Sequence, residues 1–229
     1  MGRARDIANL INSGTFITPA SASTTFLTQT SASTTYAPIS AGGLVQIVPT
    51  SVSTTGGSAT IASNGVVTFT SAATININNC FSTTYNNYKI ILDSVMTIGS
   101  NADTQLRMRL RSASGEDSEN QYGGGYSMPW YGNNAINLAS GVQPGTYVPI
   151  TTAFYSGGTS SVIFDLTKMN GSLGREFKGI CIGGNASSGA YGFFVGSKSS
   201  NNTTHTGITF YSNTSGVFTG TMSVYGYKN

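Results

Sequence analysis

Chemistry in this chain would have to run through very few side chains. His205 is the single histidine, and it lies in the polar stretch Asn201-Asn202-Thr203-Thr204-His205-Thr206. A Ser-His-Asp triad or a Cys-His pair would need it. No Gly-x-Ser-x-Gly elbow accompanies it, so an exposed loop histidine is the expected state. Cys80 and Cys181 are far apart in the sequence and match no metal spacing. With one histidine, the usual zinc sets are excluded. Cys80 beside Phe81, and Cys181 within Gly179-Ile180-Cys181-Ile182, read as two buried thiols rather than a disulfide. Paired carboxylates can hydrolyse glycosides, and oxygen ligands can hold calcium. Glu116-Asp117-Ser118-Glu119 is the one candidate for either, and a solvated loop is the plainer reading. Gly123-Gly124-Gly125 lacks the following lysine and helix of a phosphate loop. No catalytic residue, cofactor or metal is expected.

Two sets of residues point to binding instead. Tyr122, Tyr126, Trp130 and Tyr131 crowd one segment, with Gly and Asn between them. Flat aromatic faces beside amides suit a carbohydrate or a protein partner. Core or subunit interface is the competing role, and the sequence favours it. Arg107, Arg109 and Arg111 alternate with Leu106, Met108 and Leu110. Like charges at every second strand position call for compensation, from acids such as the 116–119 loop of a neighbouring subunit, or from solvent.

The elements that must position these residues are strands. The chain has 229 residues, enough for one sizeable domain with an arm. Only 8% of residues are charged, against about 25% in ordinary soluble domains. Ser, Thr, Asn and Gly take their place, giving a neutral surface suited to contact with further copies. The net charge of +3 is scattered, which argues against nucleic acid as a partner. The basic N-terminus has no apolar signal core behind it. No apolar run approaches the ~18 residues of a membrane span. A cytoplasmic site of synthesis is the expectation, with no membrane partner.

Ile7, Leu10 and Ile11 predict a short helix over residues 3–13, too short to stand alone in water and so a candidate anchor. Ser21-Ala22-Ser23-Thr24-Thr25-Phe26 recurs as Ser31-Ala32-Ser33-Thr34-Thr35-Tyr36. One chain offers little apolar surface to cover Phe26 and Tyr36, so the repeat reads as an intertwined arm or stalk rather than a linker. Strands are expected at 44–48, 59–62, 66–69, 74–78, 88–96, 104–111, 146–155, 161–168, 176–182, 191–195, 207–211 and 219–227. Ser63-Asn64-Gly65 is a hairpin turn, and residues 112–125 read as a polar loop. The fold class is all-β: an antiparallel, jelly-roll-like β-sandwich with an extended N-terminal arm and one short helix.

Three segments together resemble virion proteins of tailed bacteriophages, of the tail-fibre or appendage kind. They are the opening Arg3-Ala4-Arg5-Asp6-Ile7-Ala8-Asn9-Leu10, the doubled Ser-Ala-Ser-Thr-Thr-aromatic unit, and a body pattern. That pattern runs through Tyr85-Asn86-Asn87-Tyr88-Lys89-Ile90-Ile91-Leu92 and Leu106–Arg111 to Val224-Tyr225-Gly226-Tyr227. The resemblance implies a non-enzymatic homotrimer in the virion, made and assembled in the bacterial host cytoplasm. Residues 1–17 would anchor it, through Arg3, Arg5, Ile7, Leu10 and Ile11. Residues 18–43 would form the arm, and 44–229 the sandwich. Its other partners would be tail, portal-vertex or capsid proteins. Many such fibres are much longer, so a capsid decoration (cement) protein is an alternative. A module binding host-surface glycan through the 122–131 aromatics is another.

Overall fold

Alternation of apolar and polar residues decides which face of each strand is buried. In Leu106–Ser112 the residues Leu106, Met108 and Leu110 are buried and the arginines between them are not. The computed structural model describes residues 43–97, 105–130, 133–150, 158–169, 174–185, 188–199, 203–213 and 216–228. The expected helix, with Arg3, Arg5, Ile7, Leu10 and Ile11, and the arm aromatics Phe26 and Tyr36 lie outside the described residues.

The strands in chain order are β1 (Leu44–Ile47), β2 (Ser51–Thr55), β3 (Ser58–Ile61), β4 (Val67–Ala72), β5 (Thr74–Asn78), β6 (Tyr88–Thr97), β7 (Leu106–Ser112) and β8 (Gly115–Glu116). They continue with β9 (Tyr122–Trp130), β10 (Asn133–Gly145), β11 (Val148–Pro149), β12 (Gly158–Thr167), β13 (Arg175–Asn185), β14 (Ser188–Lys198), β15 (Gly207–Ser212) and β16 (Val217–Tyr227). No helix occurs among the described residues. Ten strands form one sheet, in the order β10-β9-β14-β13-β12-β6-β16-β4-β3, with β1 also on β16. Six form the other, β11-β7-β15-β5-β2, with β8 on β7. Every pairing is antiparallel, and the two sheets make a β-sandwich.

The core lies between the sheets. From the ten-stranded sheet it takes Phe69, Tyr88, Ile90, Leu92, Phe164, Phe177, Phe194 and Phe218. From the six-stranded sheet come Ile75, Ile77, Leu106, Met108, Leu110, Ile208 and Phe210. Phe164 stands edge-on to Phe194 at 5.6 Å and to Phe210 of the opposite sheet at 6.3 Å. It is therefore one of the rings that join the layers. The sheets approach closely where β11 meets β14: a Cβ on Gly196 would sit 2.8 Å from Val148 Cγ1, tighter than side-chain contacts allow. The β3–β4 hairpin turns at Asn64-Gly65: Gly65 has φ +91°, and Asn64 Oδ1 accepts from Val66 N.

Several expectations are corrected. Ser51–Thr55 is a strand outside the expected set, because its small hydroxyl residues carry little apolar signal. The 112–125 loop is instead a tight β7–β8 hairpin followed by the start of β9. Asn133–Gly145 forms the 13-residue edge strand β10, despite Pro144. An edge strand tolerates a missing N–H donor.

Candidate functional site

One row of residues crosses three adjacent strands at the end of the sandwich. Arg175 of β13 pairs in register with Lys198 of β14, and Lys198 with Tyr122 of β9. All three face inward and are buried. Two cations directly opposite one another on a sheet repel, so this arrangement needs anions.

One anion comes from the other sheet. The β7–β8 hairpin reverses the chain at Gly115, and Asp117 N then donates to Leu110 O. That turn carries the Asp117 side chain inward, where Lys198 Nζ is 3.0 Å from Oδ2. His205 Nε2 is 2.7 Å from the same oxygen. Because the carboxylate accepts, Nε2 carries the proton. Lys198 also donates to Gln121 Oε1 at 3.1 Å, and it stands over the Tyr122 ring. The Tyr122 hydroxyl accepts from Leu110 N and donates to Asp117 O, which ties the two sheets together.

Electrostatics follow from this packing. Burial would raise the Asp117 carboxyl, but hydrogen bonds from His205 and Lys198 outweigh it and hold the group below the usual carboxylate range. Burial pushes the His205 imidazole down, and the Asp117 contact only partly opposes it. His205 is therefore neutral at pH 7. Arg175 is treated differently: its Nη2 donates to Thr203 O at 2.8 Å, while Nε and Nη1 have no hydrogen-bond partner. His205 Nδ1 has none either. A cleft of about 430 Å³ opens over the row, lined by Asn120, Gln121, Ser197 and Ser199, with Arg175 and Lys198 among its walls.

The expected exposed histidine is thus a buried one, 4% exposed, and the expected solvated acid loop places Asp117 in the interior. Both errors have one cause, since residues 117, 198 and 205 meet only through long-range pairing. The arginine strand finds partners within its own chain. Arg109 pairs with Glu116 at 2.7 Å, and Arg111 donates to Asn76, Asn78 and Thr209. Arg107 stacks on the Tyr147 ring. Of the aromatic patch, Tyr122 is core. Tyr126 and Trp130 lie on strand β9, and Tyr131 is outside the described residues. Cys80 and Cys181 are both buried and free. Burial raises both thiols, Cys181 to about 11, so neither is a nucleophile at neutral pH.

A second feature lies on the outer face of the ten-stranded sheet. Ile91, Ile163, Ile180 and Phe193 stand side by side on β6, β12, β13 and β14. At about 4.8 Å per strand, the row spans roughly 14 Å. Ile180 is 51% exposed, Ile182 58%, Phe193 60% and Val195 59%. A shallow groove beside the row runs between Val95 and Ile182 over Ser94, Ser160 and Gly220. The rim is polar, with Lys89 bound to Asp165 at 2.9 Å and Tyr227 donating to the same carboxylate.

No protein-family model and no curated protein sequence matches the chain. Among solved structures it is similar to the carbohydrate recognition domain of Emp47p, at 10% identity and a TM-score of 0.32. The alignment covers 80% of this chain and 95% of that one. An overlap that low carries no argument about function.

Proposed function

We propose that this chain is a non-enzymatic structural protein that works by self-association, and that copies meet through the outer face of the ten-stranded sheet. The observation that carries the reading is the outward apolar row Ile91–Ile163–Ile180–Phe193, partly covered at Ile91 and Ile163 and half-exposed at Ile180 and Phe193, with the half-exposed Ile182 and Val195 beside it. The four half-exposed side chains give about 100 Å² each and the partly covered Ile91 and Ile163 add the rest, so the patch is roughly 500 Å², near the upper end of what monomers leave open. Covered on two copies it reaches about 1,000 Å², the area a specific interface needs. An apolar centre with a polar rim is the anatomy of such contacts. A second copy is the fitting occupant because the apolar row matches itself, and the charges on the same face, Lys89, Asp93, Asp165 and Lys178, are two of each sign and so can pair between copies. The setting that the sequence resemblance implies is a bacteriophage virion, with a homotrimeric tail-fibre or appendage protein as the first reading.

Light scattering on the full chain at tens of micromolar tests this reading. The expected mass is a multiple of 23.7 kDa. The double variant Ile180→Lys/Phe193→Glu should fall to one chain while its circular dichroism stays unchanged. A wild-type monomer at that concentration would sink the proposal.

A further inference from the structure

The charges of the buried row are divided between the two sheets. Lys198 and Arg175 come from β14 and β13 of the ten-stranded sheet. Asp117 follows β8 of the six-stranded sheet, and His205 precedes β15 of that same sheet. Glu119 adds a second carboxylate, 3.9 Å from Lys198 Nζ and half exposed. With His205 neutral, two cations face two carboxylates and the cluster carries no net charge. His205 can take a further proton at one atom only. Nε2 already donates to Asp117 Oδ2 at 2.7 Å, so the second proton must go to Nδ1. Nδ1 is buried and has no hydrogen-bond partner. A proton there makes a buried donor without an acceptor and a third cation beside Lys198 and Arg175. It also ties the Asp117 charge to His205, which weakens the pull of Asp117 on Lys198 across the sheets. Arg175 Nε and Nη1 are buried without partners as well, so water entering this corner satisfies all three nitrogens.

We infer that residues 203–206 and the Asp117 turn form an acid-sensitive latch: protonation of His205 releases this corner of the sandwich while the rest of both sheets stays folded. The backbone here suits such a movement. Residues 203–206 have no regular structure. Thr206 fixes the base of the segment, its N donating to Arg111 O and its O accepting from Phe81 N. Beyond that base, Arg175 Nη2 holds Thr203 O and Asp117 holds His205, both contacts of the cluster itself. Elsewhere the sheets are joined by rings such as Phe164 and Phe210, which do not titrate. The charged groups facing the imidazole are Asp117, Arg175 and Lys198, with Tyr122 and Glu119 against Lys198. Asp117 is held below the usual carboxylate range and stays ionised between about pH 5 and 7, so the change in that window belongs to His205. Burial holds the His205 imidazole below its ordinary value, so the closed corner loses stability as the pH falls below about 6.5. The latch shares no residue with the outer apolar row and does not rest on the contact proposed above.

Two measurements on the full chain test the inference. His205 is the single histidine, so one imidazole signal reports it in an NMR titration. Hydrogen exchange, corrected for its intrinsic pH dependence, reports the corner through peptides spanning 116–122 and 198–206, and the core through 88–92 and 162–166. From pH 7.5 to pH 5.5 the corner should lose protection by about three- to tenfold, tenfold being the limit for one group that titrates near 6.5 once released. The core peptides should change by less than about twofold, and the imidazole should titrate below about 6.5. In His205→Gln the corner should keep its protection at pH 5.5. Corner protection that does not change on acidification, a ring that protonates while the corner stays protected, or equal loss across both sheets would each overturn the inference. These outcomes need only the wild-type protein, so the test stands even if the variant does not fold. Acid opening that persists in a folded His205→Gln protein would overturn it as well.

Discussion

Replacing Asp117 by Asn removes one negative charge and changes almost no volume. In the folded protein, Lys198 Nζ then loses its 3.0 Å counter-charge. What remains is Gln121 Oε1 at 3.1 Å, the Tyr122 ring, and Glu119 Oε2 at 3.9 Å on a side chain that is 56% exposed. None of these replaces a buried carboxylate, because the amide and the ring are neutral and the glutamate is screened by solvent. The Lys198 side chain is 0% exposed and Asp117 only 5%, so the loss falls in the buried regime. There, removing one partner costs about 3–5 kcal/mol, against a total of about 5–15 kcal/mol for a domain. With a urea slope of about 2 kcal/mol per molar, the midpoint should fall by roughly 1.5–2.5 M. The assay is urea unfolding followed by far-ultraviolet circular dichroism, at one fixed protein concentration, because self-association adds to apparent stability. Adding Lys198→Met to Asp117→Asn should restore part of the loss, since neither charge is then left alone. A drop below about 1 kcal/mol for Asp117→Asn would show that the cluster is hydrated, and would refute the reasoning.

Three further outcomes follow from the same geometry. His205 has a folded-state pKa below its unfolded value near 6.5, so the folded protein binds fewer protons and loses stability as pH falls from about 6.5 toward the folded value. Asp117, Lys198 and Arg175 are the charged groups around it. The urea midpoint should drop between pH 7.5 and pH 5.5 in the wild type, but not in His205→Gln; a midpoint that rises on acidification contradicts this. Gly65→Ala places a Cβ 2.4 Å from Ile47 O at φ +91°, and should cost more than about 1 kcal/mol by thermal or urea unfolding. Cys80 and Cys181 should resist a thiol reagent in native buffer and react on adding denaturant; rapid native labelling would mean that one of them is exposed.

Strand existence was legible where apolar residues alternate, as in Leu106–Leu110 and Tyr88–Leu92. Two sheets of antiparallel strands follow from such runs separated by turn residues. The candidate site was not legible, for a local reason and a long-range one. Locally, the expected strands at 176–182 and 191–195 stop one residue short of Arg175 and three short of Lys198. Continuing the alternation outward from Phe177 and Phe194 would have placed both cations on the inner face. A buried lysine is rare enough that the pattern reads as the end of the strand. At long range, Asp117 and His205 join the row only through the β7–β8 hairpin and the pairing of β7 with β15, and no spacing in the sequence encodes that. The apolar outer row was hidden for a third reason. Gly179-Ile180-Cys181-Ile182 is apolar at every position, so it reads as core although both isoleucines face outward.

The most direct test of the proposed contact is a photo-crosslink from the outer face itself. Incorporating p-benzoylphenylalanine at position 193, where the native ring is 60% exposed, perturbs the core little. Irradiation of the full chain should give a covalent species of twice 23.7 kDa. Its crosslinked peptides should come from the outer faces of β6, β12, β13 and β14 of the second copy. A folded protein that yields no such species, or that crosslinks to residues off that face, contradicts self-association through this sheet.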